Sequence, residues 1–174
     1  TGANGFIGRH LAPLLDRNGW AVRCAVRQAR GNDSDVVIGS IGPRTDWQTA
    51  LSGADAIVHL AARVHHPNEE QAQKLYQDVN VEGTLRLARA AIEAGVRQFI
   101  FVSTALVYGR GDDGCALLRE TNALKPSGLY GRSKVEAEIG LKSLAQACEM
   151  SVTVVRPPMV YGSGVKGNFA LLAK

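Results

Sequence analysis

The sequence predicts an α/β protein built on a parallel sheet, and three observations carry that expectation. Short apolar, β-branched runs alternate with longer stretches of helical period. The runs are apolar on consecutive positions, as strands covered on both faces should be, and their alternation with helices implies parallel crossovers. A glycine-rich turn stands directly before the first helical stretch.

In chain order, the turn spans Thr1 to Gly8, and the chain begins inside it with no initiator Met and no strand leading into it. It is therefore expected to be a piece of a longer protein, lacking the first strand of its sheet. Pro13 lies inside the first helix and should kink it, because its ring displaces the bond to the carbonyl of Arg9. Strands are expected at Ala21–Arg27, Val36–Ile41, Ala56–Ala61, Phe99–Ser103 and Val152–Arg156. Between them, a helix is expected from Asn68 to Ala94, where Leu75, Tyr76, Val79, Leu85, Ala88, Ala91 and Ile92 largely follow helical spacing before Gly95 ends it. A second helix is expected from Leu129 to Cys148, with Val135, Ile139, Leu141, Leu144 and Ala145 as its apolar positions. Arg110 to Ser127 has no period and many breakers, and loops of that length tend to be functional.

Composition bounds the function. With 174 residues, 45% of them hydrophobic and 21% charged, the chain is expected to be one globular domain. No apolar run approaches the roughly 20 residues of a membrane span, and no signal-peptide pattern is visible. Cys24, Cys115 and Cys148 are widely spaced with no CxxC, which argues against a disulfide framework and a zinc site and fits a reducing cytoplasm. The His65-His66 and Glu69-Glu70 cluster reads as a solvated helix start rather than a metal site. A net charge of +4 is modest, and the basic residues form no stripe with interleaved aromatics. Nucleic acid is thus not the expected partner, whereas an anionic small ligand suits the charge.

Thr1-Gly2-Ala3-Asn4-Gly5-Phe6-Ile7-Gly8 has a GxxGxxG spacing. Glycines there let the backbone turn tightly and approach a pyrophosphate, whose charge meets free N–H groups and the positive end of the helix dipole. They serve equally to pack a helix closely on a sheet. In the common NAD fingerprint an acidic residue about 20 positions on binds the ribose 2′-hydroxyl, but here the strand ends Cys24-Ala25-Val26-Arg27. Arg27 would pair with a 2′-phosphate, favouring NADP over NAD, or is a surface residue at a strand end.

Tyr130-Gly131-Arg132-Ser133-Lys134 sets a phenol and an ammonium one helical turn apart on one face. A phenol with its pKa near 10 needs nearby positive charge to exchange a proton at pH 7, and Lys134 and an oxidised nicotinamide would supply it. Phe101-Val102-Ser103-Thr104 ends a strand, where ligands of parallel sheets bind. The Thr104 hydroxyl is placed to hold a substrate oxygen beside Tyr130, or to cap a turn.

These residues resemble the extended short-chain dehydrogenase/reductase family, and its nucleotide-sugar branch in particular. The likeness runs through Thr1–Gly8, Asp55-Ala-Ile-Val-His-Leu-Ala-Ala62, Asn80-Val-Glu-Gly-Thr84, Ser103-Thr-Ala-Leu-Val-Tyr-Gly109, Tyr130–Lys134 and Arg156-Pro-Pro-Met-Val-Tyr-Gly162. It implies a Rossmann-like doubly wound parallel sheet over residues 1–161, with 162–174 beginning a substrate-binding region most of which lies beyond the chain. It implies that Gly2, Gly5, Phe6 and Ile7 lie along the cofactor pyrophosphate, that Ser40 and Ile41 lie beside the adenine, and that Leu60, Ala61 and Ala62 line the cofactor's middle. Asn80 would support the site from within a helix, and Pro157 would flank the cofactor. Thr104, Tyr130 and Lys134 match the catalytic triad, with Tyr130 and Lys134 also touching the cofactor and Thr104 and Tyr130 the substrate. His59 reads as a packed strand residue. Asn168 resembles a residue that touches the substrate diphosphate, though a helix N-cap explains it equally well. A homodimer is implied.

The chain departs from the family pattern at Gly39-Ser40-Ile41, where an Asp often follows the glycine. Dehydratases of the family carry Asp-Glu directly after the catalytic Thr, to supply the acid and base that eliminate water. Here Ala105 and Leu106 stand there, so dehydration ranks low. A nucleotide-sugar 4-epimerase is the favoured reading and an NAD(P)H-dependent 4-keto-sugar reductase the alternative. A silent dinucleotide-binding regulator would be marked by a broken Tyr, Lys or Ser/Thr, and none is broken.

Overall fold

The β-branched runs pair as parallel strands, as their alternation with helices implies. The computed structural model describes residues 1–64, 69–109 and 117–163, with the side chains of residues 69–72 excepted. Five strands occur among them: β1 (Cys24–Val26), β2 (Asp35–Val37), β3 (Ala56–His59), β4 (Gln98–Val102) and β5 (Ser151–Val155). β1 pairs with β2, β3–β4–β5 form a second sheet, and every pairing is parallel. Across the larger sheet Ile57 lies beside Phe99 and Phe99 beside Val152. Ala25 of β1 and Ala56 to Val58 of β3 flank a cavity of about 530 Å³, with Trp47 and Leu87 also in its walls. Thr1 lies beside the end of β3, where its backbone nitrogen donates to the Val58 carbonyl at 2.8 Å and its carbonyl accepts from the Leu60 amide at 3.3 Å.

The second strand stops earlier than its apolar run. Gly39 takes φ +68°, turning the chain at that point. Buried Thr45 then latches the turn, accepting from the Gly42 amide at 2.8 Å and donating to the Ser40 carbonyl at 3.1 Å. Ser40 and Ile41 therefore belong to a loop rather than to the expected strand.

Helices α1 (Phe6–Arg17), α2 (Gln48–Leu51), α3 (Glu69–Tyr76), α4 (Gly83–Glu93) and α5 (Gly128–Gln146) fill the intervals. Pro13 lies inside α1. The helix expected from Asn68 to Ala94 is α3 and α4 joined by a π-helical segment, Gln77–Glu82, that the apolar spacing did not reveal. Such widened turns often sit at functional sites, and this one buries Asn80. The core lies between α4, α5 and the larger sheet, with Leu87, Ala88, Ala91, Phe99, Phe101, Ala137 and Leu141 fully buried. A Cβ at Gly140 would meet Leu85 Cδ2 at 2.6 Å, so the Leu85 side chain of α4 packs directly over this glycine of α5. No helix among the described residues is long and apolar enough to cross a membrane.

Candidate active site

Gly2 takes φ +75°, and a Cβ there would meet the Ala61 amide nitrogen at 2.6 Å. A Cβ at Gly8 would meet the Gly2 carbonyl at 2.3 Å and Ala3 Cα at 2.6 Å. Both glycines are thus required by close packing of the turn on α1 and on the chain after β3, whatever ligand the turn holds. The first bond of α1 runs from the Arg9 amide to the Gly5 carbonyl, so the Phe6, Ile7 and Gly8 amides precede it. The N-cap, Gly5, offers no side-chain cap, and no acidic residue occupies the first turn. The positive helix end is left to an anion.

Beside this turn lies a cavity of about 1100 Å³. Of the residues expected to meet a dinucleotide, Gly2, Arg27, Ser40, Ile41, Ala61 and Ala62 line it. Arg30, Arg44, Arg63, Thr45, Asp78 and Val79 line it too, and the sequence reading missed them. Arg30 is held bidentately by Asp35, whereas Arg27 and Arg44 are exposed at the cavity. An uncapped helix end, a glycine turn and a large cavity edged by guanidinium groups fit the phosphates of a dinucleotide. Gly5, Phe6, Ile7, Leu60, Asn80, Tyr130, Lys134 and Pro157, also expected at the cofactor, are not among the residues that line it. The Pro157 carbonyl accepts from the Ala105 amide at 2.9 Å, tying the end of β5 to the segment after Thr104.

The π segment brings Asn80 inward. Its amide nitrogen donates to the Arg63 carbonyl at 2.9 Å and to Ser133 Oγ at 3.0 Å, while its oxygen accepts from the Arg63 amide at 2.7 Å. Ser133 in turn donates to the Tyr130 carbonyl at 2.8 Å. Asn80 thereby fixes both the chain after β3 and the first turn of α5.

His59 is 1% exposed and bonded at both ring nitrogens. Thr84 donates to the Asn80 carbonyl at 2.7 Å, so its oxygen accepts from His59 Nε2–H at 2.9 Å. Nδ1 must then accept from the Thr1 hydroxyl at 2.7 Å. Burial, followed by the Lys134 charge, holds the ring neutral, its pKa well below the usual value. It is the packed strand residue the sequence suggested.

Tyr130 and Lys134 share one face of α5. The Tyr130 ring stands 6.3 Å from that of Tyr76, and burial, followed by the proximity of Tyr76, raises its pKa. Lys134 is 1% exposed with Nζ 4.0 Å from the centre of the Phe101 ring. Burial lowers its pKa to about 7, against which Glu138 works in the raising direction. Burial thus resists charge on both groups, and a cationic ligand beside Tyr130 would favour its phenolate. Thr104 has extended backbone (φ −159°, ψ 150°), and its oxygen accepts from the Leu106 amide at 3.3 Å, capping a 3-10 turn over Ala105–Tyr108. Accepting there does not use the hydroxyl proton, so capping and substrate binding are compatible. Asn168 and the His65-His66 pair lie outside the described residues.

Over residues 1–171 the sequence matches the NAD dependent epimerase/dehydratase family. A UDP-glucose 4-epimerase of Vibrio cholerae is 41% identical over 180 residues, covering 100% of this chain and 55% of that protein. Among solved structures, MoeE5 in complex with UDP-glucose and NAD superposes with TM-score 0.77 at 30% identity, over 89% of this chain and 52% of that one. The UDP-glucuronic acid 4-epimerase of Bacillus cereus, in complex with NAD, gives TM-score 0.75 at 25% identity, over 92% and 56% of the two chains. The chain spans about half the length of these proteins. It belongs to the NAD-dependent epimerase/dehydratase family and has the Rossmann-like fold of its short-chain dehydrogenase/reductase relatives.

Proposed function

We propose that the protein carrying this chain is an NAD(P)-dependent nucleotide-sugar 4-epimerase. The observation that carries the reading is Tyr130 above buried Lys134 on α5, in a chain 41% identical to a UDP-glucose 4-epimerase. Gly2, Ala61 and Ala62 would hold the dinucleotide, with its pyrophosphate at the start of α1. When bound, the nicotinamide supplies a hydride acceptor and donor. Tyr130 takes the proton of the sugar 4-hydroxyl as the C4 hydride leaves, and Thr104 donates to the same oxygen. Lys134 holds positive charge near the phenol. After the keto sugar turns over, Tyr130 returns the proton to the oxygen as the hydride reaches the other face of C4. Ala105 and Leu106 offer no acid or base for elimination, which supports epimerisation over dehydration.

Arg27 favours one second reading. Its guanidinium edges the cofactor cavity and is suited to a 2′-phosphate, the mark of an exchangeable NADPH and hence of a 4-keto-sugar reductase. The relatives described above, in complex with NAD, lean the other way.

The test is to purify the full-length protein, release and identify any bound cofactor, and assay UDP-, GDP- and dTDP-sugars. Interconversion without net cofactor use is expected. Stoichiometric loss of NAD(P)H with a 4-keto sugar would replace the epimerase by the reductase.

A further inference from the structure

Further along the face of α5 that carries Tyr130 and Lys134 lies a second charged group that the proton chemistry does not use. Glu138, one turn beyond Lys134, is 5% exposed, and such a carboxylate requires partners. Arg156 at the end of β5 grips both its oxygens, Nε at 3.2 Å from each and Nη2 at 2.6 Å from Oε2. Ser103, the residue before Thr104, donates to Glu138 Oε1. The other arm of Arg156 donates to the Tyr108 hydroxyl at 2.5 Å and to the Glu120 carbonyl at 3.3 Å. One ion pair therefore clamps both ends of the Ser103–Tyr108 segment, which carries Thr104, to the helix carrying Tyr130 and Lys134.

We propose that Glu138 and Arg156 are positioning residues of the catalytic centre, a buried charge pair that holds the Thr104 turn against α5 and sets the field at Lys134. This rests on the hydride-coupled chemistry proposed above. Among the described residues, no other group around Lys134 supplies compensating negative charge. His59 on β3 is neutral and the Phe101 ring on β4 offers only its π face. Asn80 reaches α5 through Ser133 and is uncharged, and Tyr76 faces Tyr130. Glu138 raises the proton affinity of Lys134 against burial. With a neutral amide in its place, Lys134 would lose its proton at lower pH and the phenol its cationic neighbour.

The experiment compares Glu138→Gln, Arg156→Lys and Ser103→Ala with the parent in the full-length enzyme. For Glu138→Gln, kcat at pH 8 should fall roughly tenfold with KM nearly unchanged, and the alkaline limb of kcat should move down by about one pH unit. Arg156→Lys keeps the charge but loses the fork, so kcat should fall while the limb stays in place. A Glu138→Gln enzyme with parental kcat and limb would overturn the proposal. Should that variant fail to fold, Ser103→Ala decides, because it leaves the ion pair in place. The proposal expects its kcat to drop with KM unchanged, and an unchanged kcat overturns it. Ultraviolet titration of the Tyr130 phenolate in cofactor-bound protein, referenced to Tyr130→Phe, needs no turnover. It should move to higher pH in Glu138→Gln, and an unmoved titration counts against the clamp even if no nucleotide sugar proves to be a substrate.

Discussion

Replacing Lys134 by Met should stabilise the protein while removing its activity, and the gain should depend on pH. The ammonium is 1% exposed, and burial takes its pKa from 10.5 to about 7. At about 1.4 kcal/mol per pH unit this interval corresponds to about 5 kcal/mol of folding free energy set against the charged form. The lowered folded value means that the unfolded chain binds more protons between about pH 7 and 10.5. The parent is therefore penalised fully below pH 7 and gains stability as pH rises through that window. Met fills a similar volume against Phe101 with no charge to desolvate. In the cofactor-free full-length protein, Lys134→Met should raise Tm by several degrees at pH 6, with the advantage shrinking steadily toward pH 10. Thermal denaturation of both proteins at pH 6, 7.5 and 9 measures this. A variant less stable than the parent at pH 6, or a difference that ignores pH, would refute the reasoning that Lys134 is held charged against its surroundings.

Tyr130→Phe should leave cofactor binding nearly intact and lower turnover by a factor on the order of 10² to 10⁴, and unchanged turnover would remove Tyr130 from the mechanism. Arg27→Ala should weaken NADP(H) more than NAD(H) in a binding titration, and equal losses would make the arginine a surface residue. Gly8→Ala would drive a Cβ to 2.3 Å from the Gly2 carbonyl. It should cost more than about 2 kcal/mol of stability and release the cofactor, so a parental melting curve with retained cofactor would refute the close-packed turn.

Much of the fold was legible because parallel strands announce themselves as consecutive apolar residues. Phe99–Val102 and Val152–Val155 lie in strands as read. The strand expected at Val36–Ile41 failed past Val37 because Gly39 and the Thr45 latch override the β propensity of Ile38 and Ile41. Apolar periodicity did not show the π segment at Gln77–Glu82, since the apolar positions on either side of it were read as one continuous helical pattern. At the site, the glycines and the Tyr-Lys spacing are local and could be read directly. The fork of Arg156 on Glu138 joins residues 18 apart across a strand and a helix, though the helical spacing of Glu138 from Lys134 and Tyr130 was a usable signal. Arg63 and Arg44 reach the large cavity beside the glycine turn from loops whose course no periodicity specifies.

The central claim, hydride transfer at C4 with Tyr130 moving the proton, is tested most directly by label retention. A nucleotide sugar carrying deuterium at C4, incubated with the full-length enzyme in ordinary water, should give an epimer that keeps its deuterium at C4 by NMR. Loss of the label to solvent would mean that C4 is deprotonated rather than oxidised by hydride removal, and would contradict the account.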